Sequence, residues 1–407
     1  MLVVGGGPAG LAAAAEAARG GSVLVVHKDA EIGKPVRTSG GSWKKELDRL
    51  GIPPHLYQQM RSLTFAGPHR SCVTPFGDDS TVILDVTGTY RYLGDLATKA
   101  GARIECSSFF TGMETYGPGR LVAEVETPRG KKRVSARFIV DGSGHRRAVL
   151  SNINAASRPT RIGVGAEIEF ENKGSDDNCV LFVGSRFAPA GYGWIFPTPG
   201  GRIRVGIGVI RPDSAAVPAR LLDEFLRSDE ARTMGLQVGA PIERHSGVIP
   251  SDGPGDQLVV GRVVAVGDSV GQALPIVGEG IRYCIEAGRV AGQSLMKALA
   301  DEPNYQRHLQ SYGAWWKNRH LRTFRMGQAI NLRLSAYRDD QWDEKMEFLS
   351  ALNGDGMAAF LRMEFSARHA AGTFLRHPAT VIRYTTRHLT NRIRGLPGRR
   401  SDARVEN

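Results

Sequence analysis

Residues 1–28 read MLVVGGGPAGLAAAAEAARGGSVLVVHK, and this stretch decides the fold. An apolar run at 2–4 leads into Gly5, Gly7 and Gly10 in G-x-G-x-x-G spacing. A small-residue segment at 10–19 and a second apolar run at 22–26 follow. Strand, glycine turn, helix and strand in this order predict a βαβ unit. Gly5 permits the tight turn, Gly7 lets the backbone approach a pyrophosphate, and Gly10 allows close helix packing, with the helix N-terminus facing the negative charge. A dinucleotide site is therefore expected rather than a merely structural glycine turn. The acidic residue that should close the second strand and hold the ribose hydroxyls is missing, because the strand ends in His27 and Lys28. That basic pair either accepts a 2′-phosphate, as an NADP site would, or leaves His27 to serve the ribose by hydrogen bonding. The opening imitates a signal peptide, but it lacks a basic flank and GGGPAG breaks its apolar stretch, so it is read as folded structure.

A second glycine signature decides between these ligands. Residues 263–281, VVAVGDSVGQALPIVGEGI, run from a strand into Gly267 and Asp268, then through Gly271, Pro275, Gly278 and Gly280 to a helix at 280–300. Here the chain resembles flavoproteins of the glutathione-reductase and aromatic-hydroxylase type. The resemblance implies FAD: Asp268 would bind the ribityl hydroxyls, and the 275–280 turn and Ile281 would face the pyrimidine edge of the isoalloxazine. FIVDGSG at 138–144 matches the strand and turn after the hairpin of these proteins, and Phe110 falls where a backbone group holds the adenine. His27, Lys28 and Arg37 complete the expected cofactor contacts.

Composition narrows the class. The 407 residues carry 53 Lys or Arg against 41 Asp or Glu, for a net charge of +12, and they suffice for two or three domains. Glycine, 50 residues, is about 12% of the chain against a usual value of about 7%. The four cysteines, Cys72, Cys106, Cys179 and Cys284, are scattered without a C-x-x-C pair, which excludes a disulfide scaffold and a zinc knuckle and points to a reducing, cytoplasmic setting. No metal site is expected. No apolar run reaches the roughly 18–20 residues of a membrane span. Residues 315–407 hold 17 Lys or Arg against 9 Asp or Glu, so +8 of the charge lies in this last segment. A solvated basic tail is the plain explanation; attraction to an anionic membrane surface or a phosphorylated substrate is the sharper one. Nucleic acid is not expected, since no recognised motif accompanies the charge.

Between the two signatures the pattern changes. Residues 44–50 and 54–63 read as helices, 82–85 as a strand, 90–100 as a helix, and 103–106, 121–126, 132–135 and 137–140 as strands. From 161 to 249, VGAEIEFE, CVLFVG and RIRVGIGVI alternate as in an antiparallel sheet, interrupted by helical spacing at 218–227. After 305 only helices are expected, among them 312–334, 343–352 and 356–371. The fold class is thus α/β: a discontinuous Rossmann-like FAD domain (1–62, 83–150 and 256–300), an antiparallel substrate sheet (63–82 and 151–255), a helical region (301–395) and a disordered tail (396–407).

GYGWIFP at 191–197 places Tyr192, Trp194 and Phe196 on one face of a strand, an aromatic wall for a long apolar ligand or else ordinary sheet core. With Pro197 it resembles the Y-x-W-x-F-P pattern of the geranylgeranyl reductase family. EIGKPVRTSGG at 31–41 is similar to that family's E-I-G-x-P-V-x-C-G-E-G segment, but Thr38 stands where the cysteine would be and Ser39-Gly40-Gly41 replaces G-E-G. The resemblance implies hydride transfer from reduced FAD to an isolated prenyl C=C, with an external electron donor such as NAD(P)H or a ferredoxin; the basic C-terminal region would suit peripheral contact with a membrane surface or the head group of such a lipid. The same stretch approximates the G-W-x-W-x-I-P pattern of flavin-dependent halogenases. A halogenase, a flavin monooxygenase acting on a hydrophobic or aromatic substrate, and a non-catalytic flavin carrier therefore remain alternatives. His145 and Glu279 are the acid–base candidates.

Overall fold

The computed structural model describes residues 1–115, 119–155, 159–253, 255 and 257–378. Its first sheet follows from the opening motif. Leu2–Val4 is flanked by Leu24–Val26 on one side and Ile139–Asp141 on the other. Arg103–Glu105 and Val263–Ala265 extend the parallel order outward, and Val259–Val260 pairs antiparallel at the edge. The inner strands Leu2–Val4, Ile139–Asp141 and Val263–Ala265 are buried on both faces, which explains why they read as continuous apolar runs rather than alternations. The helices Pro8–Ala17 and Ile281–Ala300 cross at van der Waals distance. A Cβ at Gly288 would lie 2.3 Å from the Ala9 carbonyl oxygen, and one at Gly292 2.5 Å from that of Ala13. This contact sets the two glycine turns, 260 residues apart in sequence, side by side.

The second sheet runs Val238–Pro250, Ile162–Asn172, Arg202–Arg211, Ala188–Thr198, Asn178–Gly184, Ser62–Ala66 and Ser71–Pro75 in spatial order. It is antiparallel as expected except at one place, where Ser62–Ala66 lies parallel to Asn178–Gly184. The predicted helix at 218–227 is present as Pro218–Arg227. A three-stranded sheet joins Phe109–Thr115, Leu121–Thr127 and Gly130–Ala136, and another joins Gly41–Trp43, Thr81–Leu84 and Tyr57–Gln59.

Two helix expectations are corrected. Residues 54–63 form a single 3₁₀ turn, Pro54–Leu56, followed by the strand Tyr57–Gln59 and the start of Ser62–Ala66. The spacing of Leu56, Tyr57, Met60 and Leu63 imitates a helical face. Pairing of Tyr57 with Leu84 and of Leu63 with Cys179 supplies distant ladder partners that outweigh local preference. The helix expected at 356–371 is two helices, Gly354–Leu361 and Ala367–Arg376. Met363 takes a left-handed conformation at φ 63° and stops the first, while Ser366 and His369 form a capping box that starts the second. The C-terminal helices are otherwise Tyr305–Leu334 and Asp339–Leu349. The tail expected at 396–407 lies outside the described residues. Among the described residues no helix is long and apolar enough to cross a membrane.

Candidate active site

Two cavities meet at the border between the sheets. The first, about 360 Å³, is lined by the opening glycines, the ends of the parallel strands and the second glycine turn. Gly5 sits at φ 109°, and a Cβ there would fall 2.2 Å from the Gly142 carbonyl oxygen. Gly10 is equally confined, with a Cβ only 2.1 Å from the Gly5 carbonyl oxygen. Gly7, the N-cap of Pro8–Ala17, has nothing within 4 Å of its Cβ position. The loop is thus pressed against protein on one side and open on the other, at the positive end of a helix.

Most of the expected cofactor residues line this cavity: Gly5, Gly7, His27, Lys28, Arg37, Phe110, Gly267, Asp268, Gly278, Gly280 and Ile281. Three do not. Gly10 packs behind the loop, Gly271 closes the 3₁₀ turn Gly267–Val270 in a left-handed conformation, and Pro275 faces the second cavity. His27 accepts a hydrogen bond from the Gly6 N–H at 3.1 Å. Burial holds its imidazole below the ordinary value, which keeps it neutral for that role. The carboxylate that the sequence reading found missing stands two residues further on. Asp29 lines the same cavity and takes two hydrogen bonds from Arg37, at 2.9 and 3.0 Å, and one from Lys28 at 2.8 Å. The Asp268 side chain accepts no hydrogen bond among the described residues. Burial pushes its carboxyl up to about 6, with Arg147 pulling the other way. An open glycine cradle at a helix N-terminus and an unused carboxylate fit the pyrophosphate and polyol of FAD.

The second cavity, about 450 Å³, is mainly apolar. Tyr192, Trp194 and Phe196 form one wall, with ring centroids 5.8 and 6.4 Å apart. Pro197, the next residue, does not line it, as strand alternation requires. The floor is made by missing side chains at Gly163, Gly165 and Gly208, whereas Gly247, paired with Gly165 on the edge strand, admits the Arg37 carbonyl oxygen 2.2 Å from its Cβ position. Trp194 lies flat on this floor, and a Cβ at Gly206 would come 2.2 Å from its ring. The roof comes from the C-terminal helices through Ile330, Leu334, Trp342, Phe348 and Phe360. Sequence reading missed the roof and the floor. The alternate glycines of VGIGV and the aromatic faces of the last helices were the signals.

Arg37, Thr38, Ile249, Gly278, Gly280 and Ile281 line both cavities and mark their junction. Glu279 faces the second cavity. Its Oε1 accepts from Ser42 Oγ at 3.0 Å and Arg282 Nε at 2.8 Å, and its Oε2 is buried without a partner among the described residues. His145 is not brought there: it sits on the exposed turn Gly144–Arg146 and lines only the first cavity. Polar groups that the sequence did not single out, Glu167 and His245, do line the second cavity. Among the described residues no cluster of side chains could hold a metal ion.

A parallel dinucleotide sheet, an antiparallel sheet facing it and adjoining polar and apolar cavities define an FAD-dependent oxidoreductase with the fold of flavin hydroxylases. Residues 1–175 match the FAD dependent oxidoreductase model, and residues 162–245 match the geranylgeranyl reductase catalytic domain. The digeranylgeranylglycerophospholipid reductase 1 of Methanothermobacter thermautotrophicus is 32% identical over 324 residues, covering 77% of this chain and 80% of that protein. The chain belongs to the geranylgeranyl reductase family. Among solved structures, a geranylgeranyl bacteriochlorophyll reductase-like protein from Thermoplasma acidophilum superimposes with a TM-score of 0.79 at 24% identity, covering 95% of this chain and 98% of that one. The flavin-dependent halogenase CmlS gives 0.63 at 17% identity, covering 97% and 78%, so the fold is shared with that class as well.

Proposed function

We propose that this protein hydrogenates prenyl C=C bonds of a geranylgeranyl-type lipid. The observation that carries the reading is the apolar, glycine-floored cavity opening onto the cofactor cavity at Thr38 and the 278–281 turn. In this reading Gly7 and the helix it caps receive the pyrophosphate, Asp268 the ribityl hydroxyls, and Gly278 and Gly280 the pyrimidine edge. FAD, when bound and reduced, supplies the hydride. An isolated alkene has no carbonyl to polarise, so the protein's part is to orient the chain and exclude water. Tyr192, Trp194 and Phe196 do the first, and the roof from 330 to 360 does the second. Thr38, in place of the family cysteine, offers a hydroxyl at the junction. An external donor, NAD(P)H or a ferredoxin, restores the reduced cofactor.

The head group and the membrane meet the protein at the long helix Tyr305–Leu334. It contains six Lys or Arg and no Asp or Glu. Arg307, Lys317, Arg319, Arg322, Arg325 and Arg333 are all exposed, and among the described residues only Arg319 pairs with an acid, Glu286. Met326 and Leu332 are exposed between them, and the helix ends on the cavity, which Arg333 lines. Each such cation contributes about 1 kcal/mol at an anionic bilayer. Binding to vesicles containing an anionic phospholipid should fall steeply with salt.

The deciding experiment reduces the purified flavoprotein without oxygen and adds a geranylgeranyl lipid. Reoxidation of the flavin with a gain of two hydrogens per turnover supports the reductase. Reoxidation only when air enters, with a hydroxylated product, would replace it with a monooxygenase.

A further inference from the structure

The cavity face of the antiparallel sheet carries one connected set of buried polar side chains, and the reading above gives it no task. Glu167 lies opposite His245 on the neighbouring edge strand, and its Oε1 is 2.8 Å from His245 Nδ1. Its Oε2 accepts from Trp194 Nε1 at 2.6 Å, so the carboxylate also fixes the aromatic wall. The side chains of Glu167 and His245 are only 4% and 3% exposed, and both residues line the cavity. His245 Nε2 is buried and makes no hydrogen bond among the described residues. The carboxylate nearest to it is Glu243 Oε2 at 3.5 Å, on a side chain 41% exposed to solvent.

The arrangement has three parts: a carboxylate holding one imidazole nitrogen, a second nitrogen buried and unbonded in a residue that lines the cavity, and a solvent-facing carboxylate beside it. That is the construction of an oriented acid–base histidine. Reduction of an alkene needs one proton for each hydride, and Glu279, the other acid–base candidate at this cavity, is held by the Arg282 guanidinium at 2.8 Å, which favours its ionised form. We propose that His245, oriented by Glu167 and recharged through Glu243, protonates the substrate carbon in each double-bond reduction. The inference rests on the reductase reading. In the step, the Nε2–H bond breaks as one C–H bond forms, while the hydride from the reduced cofactor forms the other. The neutral imidazole keeps Nδ1–H on Glu167 and regains its Nε2 proton from solvent by way of Glu243.

The charges around the imidazole favour its protonated form. Burial alone would lower its pKa, but the hydrogen bond and charge of Glu167, with Glu243, outweigh burial and Arg204 and raise it. Arg204 Nε lies 3.8 Å from Glu167 but is engaged more closely by Glu169 at 2.8 Å, which also takes Arg202 at 2.9 Å. Arg37 belongs to the loop resting on this face, since a Cβ at Gly247 would lie 2.2 Å from its carbonyl oxygen.

The test follows anaerobic reoxidation of the reduced flavoprotein by a geranylgeranyl lipid, in H₂O and D₂O, for wild type and His245→Asn, each first shown to bind FAD fully. Expected are a wild-type rate that falls as pH rises through the raised His245 pKa, and solvent deuterium at the protonated carbon of each reduced double bond. His245→Asn should be slower by about 100-fold or more, with a flat pH profile. Nitrogen-15 NMR of the histidines, without cofactor or lipid, should show His245 as the Nδ1–H tautomer at high pH, with a pKa that drops in Glu167→Gln. An active wild type matched by His245→Asn in rate and pH profile would overturn the proposal alone, as would an Nε2–H tautomer. A wild type inert toward prenyl lipids would overturn the reductase reading and this step with it.

Discussion

Asp268 makes FAD affinity a function of pH in a way that can be worked out beforehand. In the cofactor-free fold its carboxyl is buried at the cavity wall and titrates at about 6 rather than 3.8, with burial as the cause and Arg147 opposing it. The role proposed for it, accepting hydrogen bonds from ribityl hydroxyls, needs the ionised form. At pH 7 about nine-tenths of the apoprotein is already ionised, and at pH 5 only about one-tenth is, so the apparent dissociation constant should rise about tenfold between them, or about 1.4 kcal/mol. The stability of the apoprotein moves the other way. A folded-state pKa above the unfolded one means the fold binds more protons, so stability declines as pH rises from about 4 to about 6. Titrating the apoprotein with FAD by quenching of flavin fluorescence, from pH 5 to 8, reads the first quantity, and melting of the apoprotein from about pH 4 to 7 reads the second. Asp268→Asn should bind FAD more weakly at pH 7 and show almost no dependence on pH. A wild-type affinity that is flat across this range, or a slope unchanged in Asp268→Asn, would refute the reasoning.

Three other outcomes are expected from the same geometry. Gly7→Val should leave melting of the apoprotein near wild type, because its Cβ meets nothing, yet abolish FAD binding. Gly5→Ala should lose both, with its Cβ 2.2 Å from a carbonyl oxygen and φ at 109°; calorimetry and flavin content separate the two. Gly165→Val places a branched side chain on the cavity floor, where a first carbon already finds Trp194 at 3.4 Å. FAD binding should persist while lipid-dependent flavin reoxidation falls at least tenfold. Trp194→Phe removes the donor to the buried Glu167 carboxylate and should lower stability by about 1–3 kcal/mol, seen in melting of the FAD-bound protein.

The parallel sheet was legible because its information is local. A continuous apolar run, a glycine turn and a helix occupy one stretch of chain, and the second signature repeats the pattern. The aromatic wall was legible for the same reason, since period-two spacing within seven residues fixes a common face. What stayed hidden depends on partners far away in sequence. Tyr57 becomes strand because of Leu84, and His245 acquires its partner from Glu167 across a sheet register that no local pattern states. Asp29 was passed over because fingerprint reasoning looked only at the strand's last residues. The glycine excess noticed in the composition has two physical sources. Gly5, Gly10, Gly247, Gly288 and Gly292 let backbones touch, whereas Gly163, Gly165 and Gly208 leave space empty.

The residues common to both cavities carry a thermodynamic consequence. Arg37, Thr38, Gly278, Gly280 and Ile281 are at once the far wall of one chamber and the near wall of the other. A ring bound on the cofactor side would therefore supply surface to the lipid side, and the two ligands cannot bind independently. Linkage makes the effect reciprocal: whatever factor FAD contributes to lipid affinity, lipid returns to FAD affinity. Cofactor retention would then be greatest when the enzyme is loaded with lipid, and an FAD dissociation constant measured with and without lipid would read the coupling free energy directly.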